Sequence, residues 1–359
     1  MGILYRYRTV VILLILVLLV NITGCGNFKD EQRKINKSEN DFGGKILGTW
    51  IVNPGVRENN GLLNICVLDP DDRTVEIIFS DYTGVDLEGS ISPDGQKLAI
   101  NLWDLKTDSL NLYIYDMETK KLKRLSDEYG EEREFSWFPD GEHLVYQHIG
   151  HLPQQGDGSN IIKINVNTGQ KSELGVRVPN VRSKEFWYDS PRVTPDGKKI
   201  IYTKGSAEGY FGQGPGKRTF QNGLYIMNAD GSQEQLLYMP KKGTISRISL
   251  APDGTKVVFN IYEVLGNLNF PSEIWIYDLV SQQANLVLPN SEKYYQNAYP
   301  VFSRDGESII FLSASYQEQT IPPNNFHLYK MDLESGKIEP LEVFYKNREV
   351  CLSKMSLIP

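Results

Sequence analysis

The chain has 359 residues, a net charge of −7 and 40% hydrophobic residues, a composition that suits a large folded domain. Past its first residues it has no strongly basic segment, which argues against a nucleic-acid partner because such binding depends on clustered lysine and arginine. Three cysteines are too few for the disulfide framework of a small secreted domain.

The start of the chain has the pattern of an export signal. Arg6 and Arg8 precede an apolar run over residues 10–20, which is about half of the roughly 20 residues that a spanning helix needs. The quartet Ile-Thr-Gly-Cys at 22–25 resembles the lipobox of bacterial lipoproteins, whose cysteine receives a diacylglycerol group. We therefore predict a signal peptide over residues 1–24 and lipidation at Cys25. The alternative is an ordinary secreted protein with a chance cysteine at this position.

Residues 26–45 are polar, charged and glycine-containing, so a flexible tether is predicted for residues 25–45 including the lipidated cysteine. Acyl chains such as palmitate contribute about 0.8 kcal/mol per buried methylene, and two or more anchor a protein stably. The expected location is the extracytoplasmic face of a cell membrane, held through Cys25.

A Pro-Asp-Gly triplet recurs along the chain and marks an internal repeat. It occurs at 93–95, 139–141, 195–197 and 252–254, and residues 303–306 repeat it with Arg304 in place of proline. Its aspartates lie 46, 56, 57 and 52 residues apart: Asp94, Asp140, Asp196, Asp253 and Asp305. This period is typical of a propeller blade with some enlarged loops.

Each copy has the same apolar spacing around its aspartate. Three residues before it stand Ile91, Trp137, Val193, Leu250 and Phe302. Four and six residues after it stand Leu98 and Ile100, Leu144 and Tyr146, Ile200 and Tyr202, Val257 and Phe259, and Ile309 and Phe311. Spacing of two on both sides of a type I turn predicts a β-hairpin.

A third strand follows in every copy, ending at Asp116, Asn165, Asn228, Asp278 and Asp332. Turn residues and a short fourth strand come after it. Four antiparallel strands per repeat, arranged radially, describe the blade of a β-propeller.

The two ends of the repeat region complete one another. Residues 46–79 match the second to fourth strands of a blade, and residues 350–359 match a first strand. We therefore predict an all-β, six-bladed propeller over 46–359, closed by pairing the C-terminal strand with the N-terminal strands. In this register Cys66 and Cys351 lie two strands apart, about 9.6 Å, beyond the roughly 7 Å limit for a disulfide. Two buried free thiols are expected.

This pattern resembles the TolB-like propeller repeat, found in the periplasmic protein TolB and in the propellers of prolyl-oligopeptidase-type enzymes. The resemblance covers residues 46–359 and implies the fold, whereas function is not carried by fold alone. TolB has an α/β domain ahead of its propeller and works with a lipoprotein partner. Here a tether is expected at that position instead.

The long connections predict the binding surface. Turns between strands one and two, and three and four, are tight, while long loops are expected at 147–159, 204–222, 261–272 and 313–326 on the opposite face. Aromatic side chains there suit a protein, a peptide or a glycan, or else pack as lids over the blade ends. The candidates are Trp103, Tyr210, Phe211, Phe220, Phe270, Tyr316 and Phe326.

Signals for catalysis are sparse, so a binding module that recognises a protein or peptide is favoured and no cofactor is predicted. His148 and His151 form an H-x-x-H in a predicted loop and are the weak candidates for a metal site, against the plainer interpretation as surface histidines. TolB-like propellers include metal-dependent pectate-fragment lyases. The alternative function is therefore a metal-dependent, polysaccharide-active enzyme on the same scaffold.

Overall fold

The computed structural model describes residues 42–52, 62–82, 87–106, 108–126, 130–152, 156–175, 186–206, 222–263, 270–318, 326–346, 348–350 and 352–358. These residues lie in one compact unit that begins at Asn40. In this part of the chain, no helix is long and apolar enough to cross a bilayer.

The described residues are almost entirely β-strand. The first strands are β1 Ile46–Val52, β2 Leu62–Asp69, β3 Thr74–Tyr82, β4 Gly89–Ile91, β5 Lys97–Asp104, β6 Ser109–Asp116, β7 Leu122–Arg124, β8 Glu131–Trp137, β9 His143–Leu152, β10 Gly156–Asn165, β11 Lys171–Glu173, β12 Phe186–Val193 and β13 Lys199–Ser206. They are followed by β14 Asn222–Asn228, β15 Gln235–Tyr238, β16 Thr244–Leu250, β17 Lys256–Tyr262, β18 Ser272–Asp278, β19 Gln283–Leu288, β20 Gln296–Phe302, β21 Ser308–Ala314, β22 His327–Asp332, β23 Ile338–Pro340, β24 Phe344–Tyr345, β25 Arg348–Glu349 and β26 Leu352–Leu357. A 3-10 turn, Tyr316–Glu318, lies between β21 and β22.

The strands form a propeller of four-stranded antiparallel blades. Sheet A has the order β26-β1-β2-β3, sheet C β12-β13-β14-β15, sheet D β16-β17-β18-β19 and sheet E β20-β21-β22-β23. The eight strands β4 to β11 are grouped as sheet B, whose halves β4–β7 and β8–β11 meet at one parallel bridge between Leu110 and Glu131. Strands β24 and β25 form a small hairpin.

The turns have the predicted chemistry. Gly95 donates its N–H to the Ser92 carbonyl at 2.8 Å, and Gly306 donates to Ser303 at 3.0 Å, so the copy with Arg304 folds like the others. Both glycines have positive φ, 71° and 76°, the conformation that favours glycine there. The predicted third strands end at the predicted residues in all five copies.

The apolar positions of the repeat form the contacts between successive sheets. All ten side chains four and six residues after the turn aspartates have no exposed surface, as the spacing predicts. They and their neighbours form clusters at each sheet boundary, and in one of them Ile46 and Trp50 of sheet A pack with Val301, Ile310 and Leu328 of sheet E. The first strands also touch in sequence, β4 with β8, β8 with β12, β12 with β16, β16 with β20, and β20 with β26.

Polar side chains at the start of third strands bind the backbone of the next sheet. Asn222 of β14 donates to the Ile245 carbonyl at 2.9 Å and accepts its N–H at 2.7 Å. The Ser272 hydroxyl of β18 likewise donates to the Asn297 carbonyl at 2.7 Å and accepts its N–H at 2.6 Å. These buried hydrogen bonds fix how far each first strand is shifted along its own axis relative to the preceding sheet.

The strand at the C-terminal end pairs with the strand at the N-terminal end. Strands β26 and β1 are antiparallel, with Ile46 opposite Leu357 and Gly48 opposite Met355. Cys66 lies on β2, on the third strand of sheet A as predicted, and is a buried free thiol. Burial raises the pKa of this thiol to about 12. Cys351 lies outside the described residues.

Two expectations change with the structure. The loop predicted at 147–159 is wrong, because β9 and β10 continue as one hairpin in which Leu152 pairs with Gly156. The polar, glycine-rich composition of this segment suggested a loop, whereas the strand pairing uses only backbone groups. Phe42, assigned to the tether, is fully buried, and its N–H donates to Asp71. The packed part therefore includes residues before 46.

We expect removal of residues 351–359 to abolish cooperative unfolding. Leu352 and Met355 are buried in the cluster between sheets E and A, and β1 would be left with an open edge. The measurement is a thermal melt followed by circular dichroism, with Ser356→Ala as the control that keeps β26. A truncated protein that melts cooperatively at the control's midpoint would contradict this role for β26.

We also expect stability to fall in acid through the turn carboxylates. The Ser92 hydroxyl and the Gln96 N–H lower the pKa of Asp94, and the Thr119 N–H lowers that of Asp116. Since the folded pKa lies below the unfolded value of about 3.9, this stabilisation is complete above that pH and is lost as the pH falls through the folded pKa.

Urea midpoints measured from neutral pH down to pH values below about 4 test this expectation. The double variant Asp94→Asn/Asp116→Asn should show a shallower decline than the parent protein, because an amide does not titrate. Glu342→Gln, an exposed charge outside these turns, is the control. Identical acid profiles for the parent and the double variant would refute the assignment.

Candidate functional site

The first strands of the sheets line a cavity that is open to solvent, and the space within it is about 630 Å³ when the solvent at its opening is included. Its walls come from sheets A to E, and their charged and aromatic members are Glu88, Glu134, Phe135, Arg192, Arg247 and Tyr299. Leu47, Ile65, Ile248 and Met355 supply apolar wall surface. We call this space the axial cavity.

A repeated β-bulge brings these side chains to the cavity. The inner strands β8, β12, β16 and β20 each shift register at the same place, one of the shifts lying between Ser246 and Ser249. The first bulged residues are Glu134, Ser190, Arg247 and Tyr299, with φ between 50° and 56°. A left-handed backbone at a residue other than glycine costs on the order of 1 kcal/mol, and bulges commonly re-aim side chains near sites.

One carboxylate joins three sheets across the cavity. Glu134, whose side chain is 6% exposed, accepts a hydrogen bond at Oε2 from Nη2 of Arg192 at 2.8 Å and pairs through Oε1 with Arg247. Glu134 belongs to sheet B, Arg192 to sheet C and Arg247 to sheet D. The trio has a formal charge of +1.

A second acidic residue supports the first. Glu88 accepts the backbone N–H of Glu134 at 2.8 Å, and its other oxygen lies 3.9 Å from Arg133. Arg133 also pairs with Glu131 at 2.9 Å. The Glu88 carboxylate therefore accepts a hydrogen bond from the backbone of Glu134 and so fixes the bulge there.

Burial sets the electrostatics around Arg192. It raises the pKa of the Asp189 carboxyl and lowers that of the Arg192 guanidinium, because charged forms lose hydration there. Arg247 lies over the Tyr299 ring, 5.1 Å from its centroid. The cavity thus combines arginine donors, the carboxylates of Glu88 and Glu134, and a wall that is partly apolar.

The histidine pair is placed differently from the prediction. His148 lies on β9 rather than in a loop, and its Nδ1 is 3.1 Å from Oε2 of Glu132, a side chain only 1% exposed. The backbone of His151 lies on the same strand, and its side chain is outside the described residues. Among the residues that the structure describes, no group of three or more His, Cys, Asp or Glu could hold a metal ion.

Two predicted aromatic residues each pack against a tyrosine, Phe270 beside sheet D and Tyr316 beside sheet E. Phe270 packs edge-on against Tyr262 at 6.4 Å, and Tyr316 packs edge-on against Tyr295 at 5.0 Å. The Ser272 N–H donates to the Tyr295 carbonyl at 3.0 Å, so the backbone segments next to the two pairs are hydrogen-bonded. We call Tyr262, Phe270, Tyr295 and Tyr316 the D/E aromatic edge. Tyr316 is its most exposed member, at 54%.

The other candidates do not belong to this edge. Phe326 is half-buried against the cluster between sheets E and A, and thus has a packing role. Trp103 is half-buried on β5, where its backbone N–H donates to the Tyr82 hydroxyl. Tyr210, Phe211, Phe220 and the lipidation candidate Cys25 lie outside the described residues.

Sequence reasoning missed the axial cavity, although a signal for it was present. Glu88, Glu134, Ser190, Arg247 and Tyr299 each stand six residues before a turn aspartate. If side chains alternated strictly along the strand, nothing would distinguish the direction of the side chain at this position from that of its neighbours on the same face. The bulge that turns Glu134, Arg247 and Tyr299 toward the cavity was not readable from the apolar spacing.

Comparison with known proteins supports the fold. The family model described as the TolB beta propeller domain matches residues 59–214. A search of curated proteins found no significant match to this sequence.

Solved structures show the same architecture at low identity. TolB from Acinetobacter baumannii has a TM-score of 0.60 and 18% identity over 88% of this chain, which spans 66% of that protein. A putative TolB from Agrobacterium tumefaciens has a TM-score of 0.53, 16% identity and coverage of 87% and 92%. An oligogalacturonate lyase in complex with manganese has a TM-score of 0.53, 14% identity and coverage of 83% and 74%. The fold is therefore a TolB-like propeller, and identities this low carry no function.

Proposed function

We propose that this chain is an extracytoplasmic binding module, anchored to a membrane at Cys25, that recognises a protein or peptide through the face of a closed six-bladed propeller. The observation that carries the recognition is the D/E aromatic edge, where two edge-on aromatic pairs lie on backbone segments that are hydrogen-bonded to each other. Aromatic residues on a rigid scaffold are the side chains that dominate protein recognition.

Six blades and ring closure are the architecture on which this proposal rests. Counting the halves of sheet B as two blades gives six sheets, and the first strands touch in sequence from β4 to β26. Pairing of β26 with β1 and the cluster between sheets E and A support closure. A closed ring has no exposed sheet edge at its seam, so its face is rigid enough to hold a partner.

The orientation of the strands supports the proposed surface. In an antiparallel four-stranded blade, the connections between strands two and three lie on the face opposite the Pro-Asp-Gly turns. Residues 207–221, 263–271 and 315–326 are connections of this kind. Phe270 and Tyr316 belong to two of them, so they lie on the face with the longer connections.

Membrane anchoring rests on the sequence. The basic residues, the apolar run and the lipobox-like quartet at 22–25 precede a polar tether. A lipidated Cys25 would hold the propeller close to the membrane surface with its recognition face free to meet envelope proteins.

The alternative remains a metal-dependent enzyme acting on polysaccharide. It draws on the fold shared with the manganese-bound oligogalacturonate lyase and on His148 beside Glu132. Metal analysis of the purified protein separates the two functions. Stoichiometric manganese or zinc that is lost in a His148→Ala/His151→Ala variant would favour the enzyme.

We expect the double variant Phe270→Ala/Tyr316→Ala to lose partner capture by about 10-fold or more, because aromatic anchors supply most of the binding energy. The measurement is chemical crosslinking on intact cells, followed by identification and quantification of the captured protein. Phe344→Ala, an equally exposed aromatic residue on the β24–β25 hairpin, is the control. Equal capture by both variants, or no captured protein at all, would argue against this surface.

We expect Cys25→Ser to move the protein from the membrane fraction to the soluble fraction and to abolish incorporation of labelled palmitate. The reason is that the anchor needs the thiol of this residue. Cys351→Ser serves as the control for a cysteine outside the lipobox-like quartet. Membrane retention and palmitate labelling of the Cys25→Ser protein would refute the anchor.

A further inference from the structure

The axial cavity contains arginine donors that the proposed recognition face does not use. Two guanidinium groups, from Arg192 and Arg247, share the single carboxylate of Glu134. Glu88 also lines the cavity, so these two arginines and two carboxylates have no net formal charge. The feature that suits an anionic ligand is therefore the supply of arginine N–H groups, which can only donate.

The geometry of the arginines suits a carboxylate in particular. A guanidinium has five N–H donors in a planar fork that matches two oxygen atoms. Arg192 uses one donor on the Glu134 carboxylate, at 2.8 Å, and one on the Pro191 carbonyl, at 2.9 Å. Three donors of Arg192 therefore remain for another acceptor at the cavity wall.

Apolar side chains form a second part of the wall, beside the polar residues Thr49, Ser249 and Ser356. Leu47 and Ile65 come from sheet A, Phe135 from sheet B and Ile248 from sheet D. All four of these apolar side chains are buried in the fold. A hydrocarbon group of a ligand can pack against them while a charged end meets the arginines.

The frame that holds the arginines is built before any ligand arrives. Arg247 and Glu134 are the first residues of their bulges, with φ of 50° and 56°. Glu88 fixes the Glu134 backbone through the 2.8 Å hydrogen bond, and the Tyr299 ring supports Arg247. Such preorganisation reduces the ordering cost of binding.

We propose that the axial cavity binds a carboxylate attached to a short apolar group, with the carboxylate against Arg192 and Arg247 and the apolar group against Leu47, Ile65 and Phe135. The C-terminal residue of a peptide and a free aliphatic acid both have this chemistry. Asp189, half-buried near Arg192, and Glu134 set the limit on affinity because both can oppose a second anion.

The test is calorimetric titration of the folded protein with defined probes. N-acetyl-leucine provides the free acid, and N-acetyl-leucine amide has the same side chain without the charge. A hexapeptide ending in leucine is used with a free and with an amidated C-terminus. Saturable one-to-one binding of an acid form, at least 10-fold tighter than its amide, is expected. Binding of the peptide acid assigns a chain end, and binding of N-acetyl-leucine alone assigns a free acid.

Glu134→Gln is the decisive variant, because it removes the carboxylate that competes for both arginines and keeps the side-chain shape. It should bind the acid probes several-fold more tightly than the parent protein and leave the amides unchanged. Arg192→Gln should weaken acid binding by 10-fold or more. Arg124→Gln is the control. Arg124 pairs with Asp104 at a distance of 2.7 Å, and neither residue lines the cavity.

Thermal melts of every variant establish that it is folded, and Glu134→Gln alone decides the matter if Arg192→Gln does not fold. Acid probes that fail to bind the parent and Glu134→Gln proteins, or that bind no better than their amides, would overturn the proposal. So would an unchanged or weaker acid affinity in Glu134→Gln. Partner capture at the D/E aromatic edge involves other residues and another readout, so each proposal can fail without the other.

Discussion

The molecule depends on one packing constraint: each four-stranded sheet is apolar on both faces and cannot be buried by itself. The side chains four and six residues after each turn aspartate are all buried, and each pair lies in one cluster on one face of its sheet. The residue between them packs on the other face, as Ile310 does in the cluster between sheets E and A. A sheet of this kind is stable only between two others. Sheet E packs on sheet A for the same reason that sheet C packs on sheet D.

Polar contacts make that packing specific. Apolar surfaces of similar shape can slide, whereas a buried amide such as Asn222 fits the next sheet only where it meets the backbone of Ile245. Ser272 does the same for Asn297. Because an unsatisfied buried amide or hydroxyl is costly, these bonds select one height for each first strand. That height in turn brings Glu134, from one sheet, between arginines from the next two.

The proposed recognition surface and the axial cavity involve different parts of the sheets. The Pro-Asp-Gly turns are short and form their own hydrogen bonds, so they offer few groups to a partner. The proposed recognition surface is the D/E aromatic edge, whereas the axial cavity lies among the inner strands. The two proposed functions therefore depend on different side chains.

The amino-acid sequence by itself determined the repeat, the turn type, the strand ends and the third-strand position of Cys66, because these follow from local spacing and turn chemistry. It did not reveal that residues 147–159 extend a hairpin, since pairing there needs no apolar pattern. Nor did it reveal that Phe326 supports a core cluster rather than a surface. Only the tertiary structure decided that Glu134, Arg192 and Arg247 meet. They are separated by more than fifty residues in sequence at each step, and a bulge and the packing of three sheets are what bring their charges together.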